Sequence, residues 1–298
     1  MSIANLSLIL ISSLFHAFWN VLTQKSSNPQ LLSGLKGVWI MLLGGGVFAG
    51  GWLAIPPPQV LPWVALSGIL HGIYILSLSR AYARSDLSYA YPIARSAPVF
   101  VPVFAFFLLG ERLGGTSLLA IFLVILAVYV LHFKGRVLEG FYNLWQALGH
   151  RDLRWSFITL GLVVAYSLVD KQGMALFLIL EPDSGLTNGL RFFFLEAILG
   201  FGVCNLYLFT VYPAAQIIPI WRRDLWRGLA VGLATAASYG LICVVLQYEP
   251  VSQVVAVRQT SVIMVVLWGV VKMKEPFGRE RIMASLLMVL GVSLIGLD

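Results

Sequence analysis

Ten separate stretches of this chain reach or approach the ~20 apolar residues that a helix needs to cross the roughly 30 Å hydrocarbon core of a bilayer. They lie near Ala4–Thr23, Leu31–Trp52, Leu61–Arg80, Leu87–Leu109, Thr116–His132, Trp155–Phe177, Asn188–Phe209, Leu225–Leu246, Ser252–Val271 and Arg281–Leu297. Inside a bilayer every backbone N–H and C=O must find a partner within the protein, so such a pattern is confined to a helical bundle. Composition agrees: 59% of the 298 residues are hydrophobic and 11% charged, against about 25% charged in a soluble domain. The expected fold class is an all-α integral membrane protein with ten transmembrane helices. Cys204 and Cys243 both fall inside apolar segments, where a thiol behaves as a small buried hydrophobe, so neither a disulfide framework nor a metal site is expected. The first apolar run begins without a basic segment and continues to about Thr23 with no small-residue cleavage site, which predicts a retained helix instead of a signal peptide.

Gly and Pro mark the connections, at Pro56-Pro57-Pro58, Gly114-Gly115, Glu181-Pro182-Asp183 and Pro276-Phe277-Gly278. The longest, Phe133 to Arg154, holds an amphipathic stretch from Val137 to Leu148 with Tyr142 and Trp145, which suits a short helix lying on the membrane surface. The net charge is +7, and 14 of the 20 basic residues sit in loops that follow odd-numbered spans or in the span turns bordering those loops, while loops after even-numbered spans hold only Arg112. Cytoplasmic loops carry the Lys and Arg excess, so the odd-numbered loops are expected in the cytoplasm and both termini on the other side. The surplus of cations is thereby a topology signal, and no nucleic-acid partner is implied. The remaining five, Lys36, Arg95, Lys171, Arg191 and Arg258, lie within spans.

The chain also resembles itself at a shift of about 155 to 165 residues. Ser33-Gly34-Leu35-Lys36 faces Asn188-Gly189-Leu190-Arg191, Gly45 faces Gly200, and Ala94-Arg95-Ser96-Ala97-Pro98-Val99 faces Val257-Arg258-Gln259-Thr260-Ser261-Val262. Both of the latter run into a loop containing Glu, at Glu111 and Glu275. Five spans per repeat is an odd number, so the halves have opposite orientation, the plan of many secondary transporters, which bind substrate near the midplane between repeats. The expected organisation is a first repeat over 1–132, a cytoplasmic linker over 133–154 and a second repeat over 155–298.

Three stretches give the chain a wider resemblance: His16-Ala17-Phe18-Trp19-Asn20 with Lys25, Ser85-Asp86-Leu87-Ser88-Tyr89-Ala90-Tyr91-Pro92-Ile93-Ala94-Arg95, and the loop Gly110-Glu111-Arg112-Leu113-Gly114. With these it is similar to the drug/metabolite transporter superfamily, in particular its EamA-like ten-helix carriers, along essentially the whole chain. The resemblance implies a carrier for a small metabolite and leaves the substrate open, since these families move amino acids, sugars, nucleotide sugars, amines and other compounds. Many relatives place both ends in the cytoplasm, whereas the cations here argue the reverse.

Arg95 and Arg258 are the first candidates for substrate contact. A guanidinium deep in a bilayer costs from ~2.5 kcal/mol upward unless it has a partner, water or an anion. At 1.5 Å rise per residue, Arg95 lies ~12 Å from the cytoplasmic end of its span and Arg258 ~10 Å from the outer end. Arg offers a fixed fork of donors matched to carboxylate or phosphate, and the structural reading is neutralisation by an acid or by carbonyls at a broken helix end. Pro92 and Pro98 flank Arg95 and predict a kinked fourth helix. His16 and Asn20, four apart, share a face and either bind substrate, relay a proton or join two helices. Asp170 and Lys171 diverge by ~100° on the sixth helix, and one of them can face Arg258 or His16. Glu196, deep in the seventh, is a proton-coupling candidate with Asp170 and His16, or else a structural partner of Arg191 or Arg258. Lys36 and Arg191 are expected to extend toward the interface. Tyr74, Tyr91, Tyr166 and Tyr239 are candidates to supply hydroxyls and rings to a substrate site, with Lys171 beside them. The glycine clusters 44–46 and 200–202 are expected at close helix contacts.

No phosphate-binding loop, Gly-x-Ser-x-Gly turn or spaced metal-ligand set is present, so neither an enzyme nor a cofactor is expected. The leading expectation is a secondary active transporter of a small polar metabolite, anionic or zwitterionic, working by alternating access between the repeats in a bacterial inner membrane. Its partners are a small-molecule substrate, the lipid bilayer and protons as coupling ion; a monomer is the default, with a dimer as the alternative. Competing readings are a proton-coupled exporter of amines or cationic drugs, a flippase for a phosphate-bearing lipid conjugate, and a non-transporting membrane subunit.

Overall fold

The computed structural model describes residues 1–24, 26–84, 93, 96–133, 135–147, 153–265 and 279–297. In chain order the helices are α1 (Ile3–Gln24), α2 (Pro29–Ala49), α3 (Leu61–Arg84), α4 (Ala97–Leu109), α5 (Gly115–His132), α6 (Val137–Ala147), α7 (Arg154–Leu180), α8 (Gly185–Val211), α9 (Ala214–Arg223), α10 (Leu225–Leu246), α11 (Val251–Val257) and α12 (Arg279–Leu297). Among the described residues eight helices are long and apolar enough to cross a membrane, and two shorter apolar ones, Ala97–Leu109 and Val251–Val265, complete the set of ten expected stretches. Parts of the fourth and ninth stretches, 87–92, 94, 95 and 266–271, lie outside the described residues.

Local chemistry accounts for several boundaries. Asn28 caps α2 by accepting the Leu31 N–H at 3.0 Å, with Pro29 at the first helical position where its missing N–H costs nothing. Gly110 ends α4 in the left-handed conformation, φ 66°, that a residue with a Cβ seldom adopts. Helix α11 is interrupted by a turn at Arg258-Gln259 before helix resumes at Thr260. The amphipathic helix expected after Phe133 is present as α6, with Leu138, Tyr142 and Trp145 exposed. Helix α9 was not foreseen, because ten residues with an internal Pro219 give little periodic signal. It is held by Ile217, wholly buried with Leu31, Cys204 and Leu208, and by the Trp221 indole N–H donating to the Leu31 carbonyl at 2.8 Å.

The helices form two compact units. One comprises Met1–Ser13, Ser77–Leu168 and Glu249–Asp298; in it α5 packs on α12, and α4 and α5 pack on α11. The other comprises Leu14–Leu76 and Val169–Tyr248; in it α2, α8 and α10 pack on one another. Helices that the internal alignment pairs, such as α2 with α8 and α4 with α11, thus lie against each other, and each unit draws on both halves of the chain. In the second unit small residues let backbones meet: a Cβ on Gly68 would lie 2.8 Å from the Glu196 carbonyl oxygen, and one on Gly200 2.8 Å from that of Gly68. Of the glycine clusters, Gly200 sits at such a contact and Gly44 against the Phe194 and Ile198 side chains, but Gly45, Gly46 and Gly202 face open space, contrary to the packing role expected for whole clusters.

Candidate functional site

The approach of α3 to α8 brings polar side chains from four helices together inside the second unit. Ser67, His71 and Tyr74 are spaced four and three apart on α3 and so share a face. Asp170 comes from α7, Glu196 from α8 and Tyr239 from α10. Ser67 Oγ is hydrogen-bonded to carboxylate oxygens of both Asp170 and Glu196, and the Tyr239 hydroxyl donates to the other Asp170 oxygen. His71 Nδ1 stands 3.2 Å from Ser67 Oγ, 3.1 Å from the Ser67 carbonyl and 3.5 Å from the Glu196 carboxylate. The His71 ring meets Tyr239 edge-on at 5.0 Å and Tyr74 at 6.5 Å.

Asp170 is fully buried and Glu196 is 2% exposed. A serine hydroxyl carries one proton and donates to one acceptor at a time, so Ser67 serves the two carboxyls in turn unless one of them is itself a donor. One histidine nitrogen and one oxygen from each acid lie within 4.8 Å of one another, a donor set of the kind that holds a divalent cation. Here the Ser67 hydroxyl is hydrogen-bonded to all three residues.

The sequence candidates divide around this cluster. Asp170, Glu196, Tyr239 and Tyr74 are in or beside it; Asp170 faces Ser67 and Tyr239. Lys171 points elsewhere, donating to the Leu246 carbonyl at 2.8 Å. Asn20 uses its amide on the His16 carbonyl, 2.7 Å, within its own helix, and the His16 ring lies edge-on to Trp19 at 5.0 Å. Arg258 is in the first unit, at the turn that ends α11, where its carbonyl accepts from Ser13 at 3.5 Å. Tyr166 is buried in the same unit. Arg95 and Tyr91 lie outside the described residues.

Lys36 and Arg191 do not extend to the interface; both are 5% exposed. Arg191 pairs with Glu181 and donates to the Ala54 and Ile55 carbonyls at 2.7 and 2.8 Å. It therefore does not serve as the partner expected for Glu196. Ser67 and His71 were missed, although Ser-x-x-x-His-x-x-Tyr on one helix face is a legible polar stripe in an apolar span.

Membrane-spanning helices around a buried polar cluster define a multi-pass integral membrane protein of the transporter class. The EamA-like transporter family model matches residues 4–133 and 183–297, and the chain belongs to that family, within the drug/metabolite transporter superfamily. Its fold is shared with 28 chains of solved structures. One of them, a crystal structure, superimposes with a TM-score of 0.72 over 100% of this chain and 98% of that one, at 16% sequence identity. No curated protein sequence matches the chain.

Proposed function

We propose that the chain is a proton-coupled secondary carrier of a small polar metabolite, with the Asp170–Glu196 pair as the coupling site. The observation that supports this is the pair of buried carboxyls joined through the single hydroxyl of Ser67. His71, Tyr239 and Tyr74 are the other titratable groups facing it. Alternating access is proposed to arise from the repeats, 1–132 and 155–298 joined by the cytoplasmic linker 133–154, taking up exchanged conformations in turn, as inverted repeats do. The setting is a bacterial inner membrane with both termini on the non-cytoplasmic side.

One observation favours a second reading, in which the acids bind the substrate itself. Two carboxyls beside Tyr239, Tyr74 and His71 combine charge with ring faces, a surface that suits an organic amine. Reconstitution into liposomes with an imposed pH gradient separates the two. Under the proton reading the gradient drives flux of the carried metabolite, and Glu196→Gln or Asp170→Asn abolishes gradient-driven flux while substrate exchange at equal pH continues. Loss of exchange and of amine binding together, with no effect of the gradient on the wild type, would instead establish the amine reading.

A further inference from the structure

The internal repeat places two cations at equivalent positions, Lys36 on α2 and Arg191 on α8, and the structure treats them oppositely. Every side of Arg191 is answered: the Glu181 carboxylate, the Ala54 and Ile55 carbonyls, the Asn188 side-chain oxygen at 3.3 Å and the face of Phe177 at 4.8 Å. Lys36 is just as buried, seven residues into a membrane span, yet among the described residues no carboxylate pairs with it. Its ammonium lies 3.9 Å from the centroid of the Trp19 ring and 5.6 Å from that of Phe201.

Aromatic faces hold a cation in position and leave its charge uncancelled. An ammonium has three donors and no acceptor, so one held by ring faces keeps its N–H groups able to bind an oxyanion. Phe201 is fixed in turn, since its ring fills the notch at Gly37, where a Cβ would lie 2.5 Å away. We propose that Lys36 is an oxyanion-binding site, taking a carboxylate or phosphate group of the transported substrate, with Trp19 as the positioning residue. The inference rests on the carrier reading and adds a substrate class to it; the acid cluster on Ser67, Asp170 and Glu196 is a separate set of side chains.

The test is a thermal unfolding titration of the full-length protein in neutral maltoside detergent with inorganic phosphate and with acetate, against chloride at equal ionic strength. Ligands that bind only the native state raise its apparent stability, and about 2–4 °C is expected at ten times Kd. The rise should be saturable in the wild type, retained in Lys36→Arg and absent in Lys36→Met. Lys36→Gln serves in place of the methionine variant should the latter fail to accumulate. Equal responses to phosphate, acetate and chloride in the wild type, or an oxyanion response surviving in Lys36→Met, would overturn the proposal. Suppression of the phosphate response by added phosphatidylglycerol would assign the site to lipid headgroups and also overturn it. Glu196→Gln should keep the oxyanion response. If the wild type shows that response but no gradient-driven flux, the proton-coupling reading fails and the Lys36 site stands.

Discussion

Ser67 carries the chemistry of the cluster because one hydroxyl serves two carboxyls. Replacing it with alanine leaves two buried acids without the group that joins them, and unsatisfied buried polar groups cost roughly 1–3 kcal/mol each. Ser67→Ala is therefore expected to destabilise the protein by about 2 kcal/mol, read as a lowered midpoint in denaturant titrations in detergent. Glu196→Gln should cost less, since the amide still offers Ser67 a polar partner of the same shape. Arg191 gives the opposite kind of test: Arg191→Met removes a buried guanidinium from a half-exposed carboxylate and two backbone carbonyls, and losing hydrogen bonds to a charged group is expected to cost about 2 kcal/mol. A loss below ~0.5 kcal/mol would place Arg191 among the weak surface pairs instead. Asp170 and Glu196 are legible in the sequence because an acid inside an apolar span stands out against its neighbours. Ser67 and His71 are not, because a serine or histidine in a membrane helix is common and usually local in its bonding. What selects these two is the contact of α3 with α8, which composition does not display.

The same contact sets the prediction for whole helices. Gly68 and Gly200 approach the opposing backbone so closely that a methyl group has no flexible neighbour to displace. Gly68→Ala and Gly200→Ala should each destabilise by about 1–3 kcal/mol through overpacking and should disturb the cluster around Ser67, whereas Gly45→Ala and Gly202→Ala should be neutral or slightly stabilising. Unfolding midpoints of the four variants, measured side by side, check the contrast. Glu111 is a second element-scale device. Its carboxylate accepts the Val251 N–H at 2.7 Å and the Ser252 N–H at 3.2 Å, and it is also bonded to the Ser252 hydroxyl. A loop after α4 thereby satisfies the first orphan donors of α11, with negative charge at the positive end of the helix. The sequence marks Gly110-Glu111 as a motif but not its partner, since the capped helix lies 140 residues further on. Glu111→Gln is expected to cost about 1 kcal/mol. The lengths of the spans were readable from hydropathy, while the break at Arg258-Gln259 was not, because no Gly or Pro announces it.

At the scale of the molecule the side of the membrane that each loop faces is a prediction from the loop charges. The basic residues follow odd-numbered spans, and moving several of them across the bilayer during insertion is unfavourable. Arg136, exposed in the linker before α6, should therefore face the cytoplasm, and Asp183, exposed in the turn between α7 and α8, should face outward. Cys204 and Cys243 are both buried thiols outside any disulfide, so the native chain gives little background with a membrane-impermeant maleimide. In intact cells Asp183→Cys should label readily and Arg136→Cys only after the membrane is opened. The reverse pattern would show that the termini are cytoplasmic.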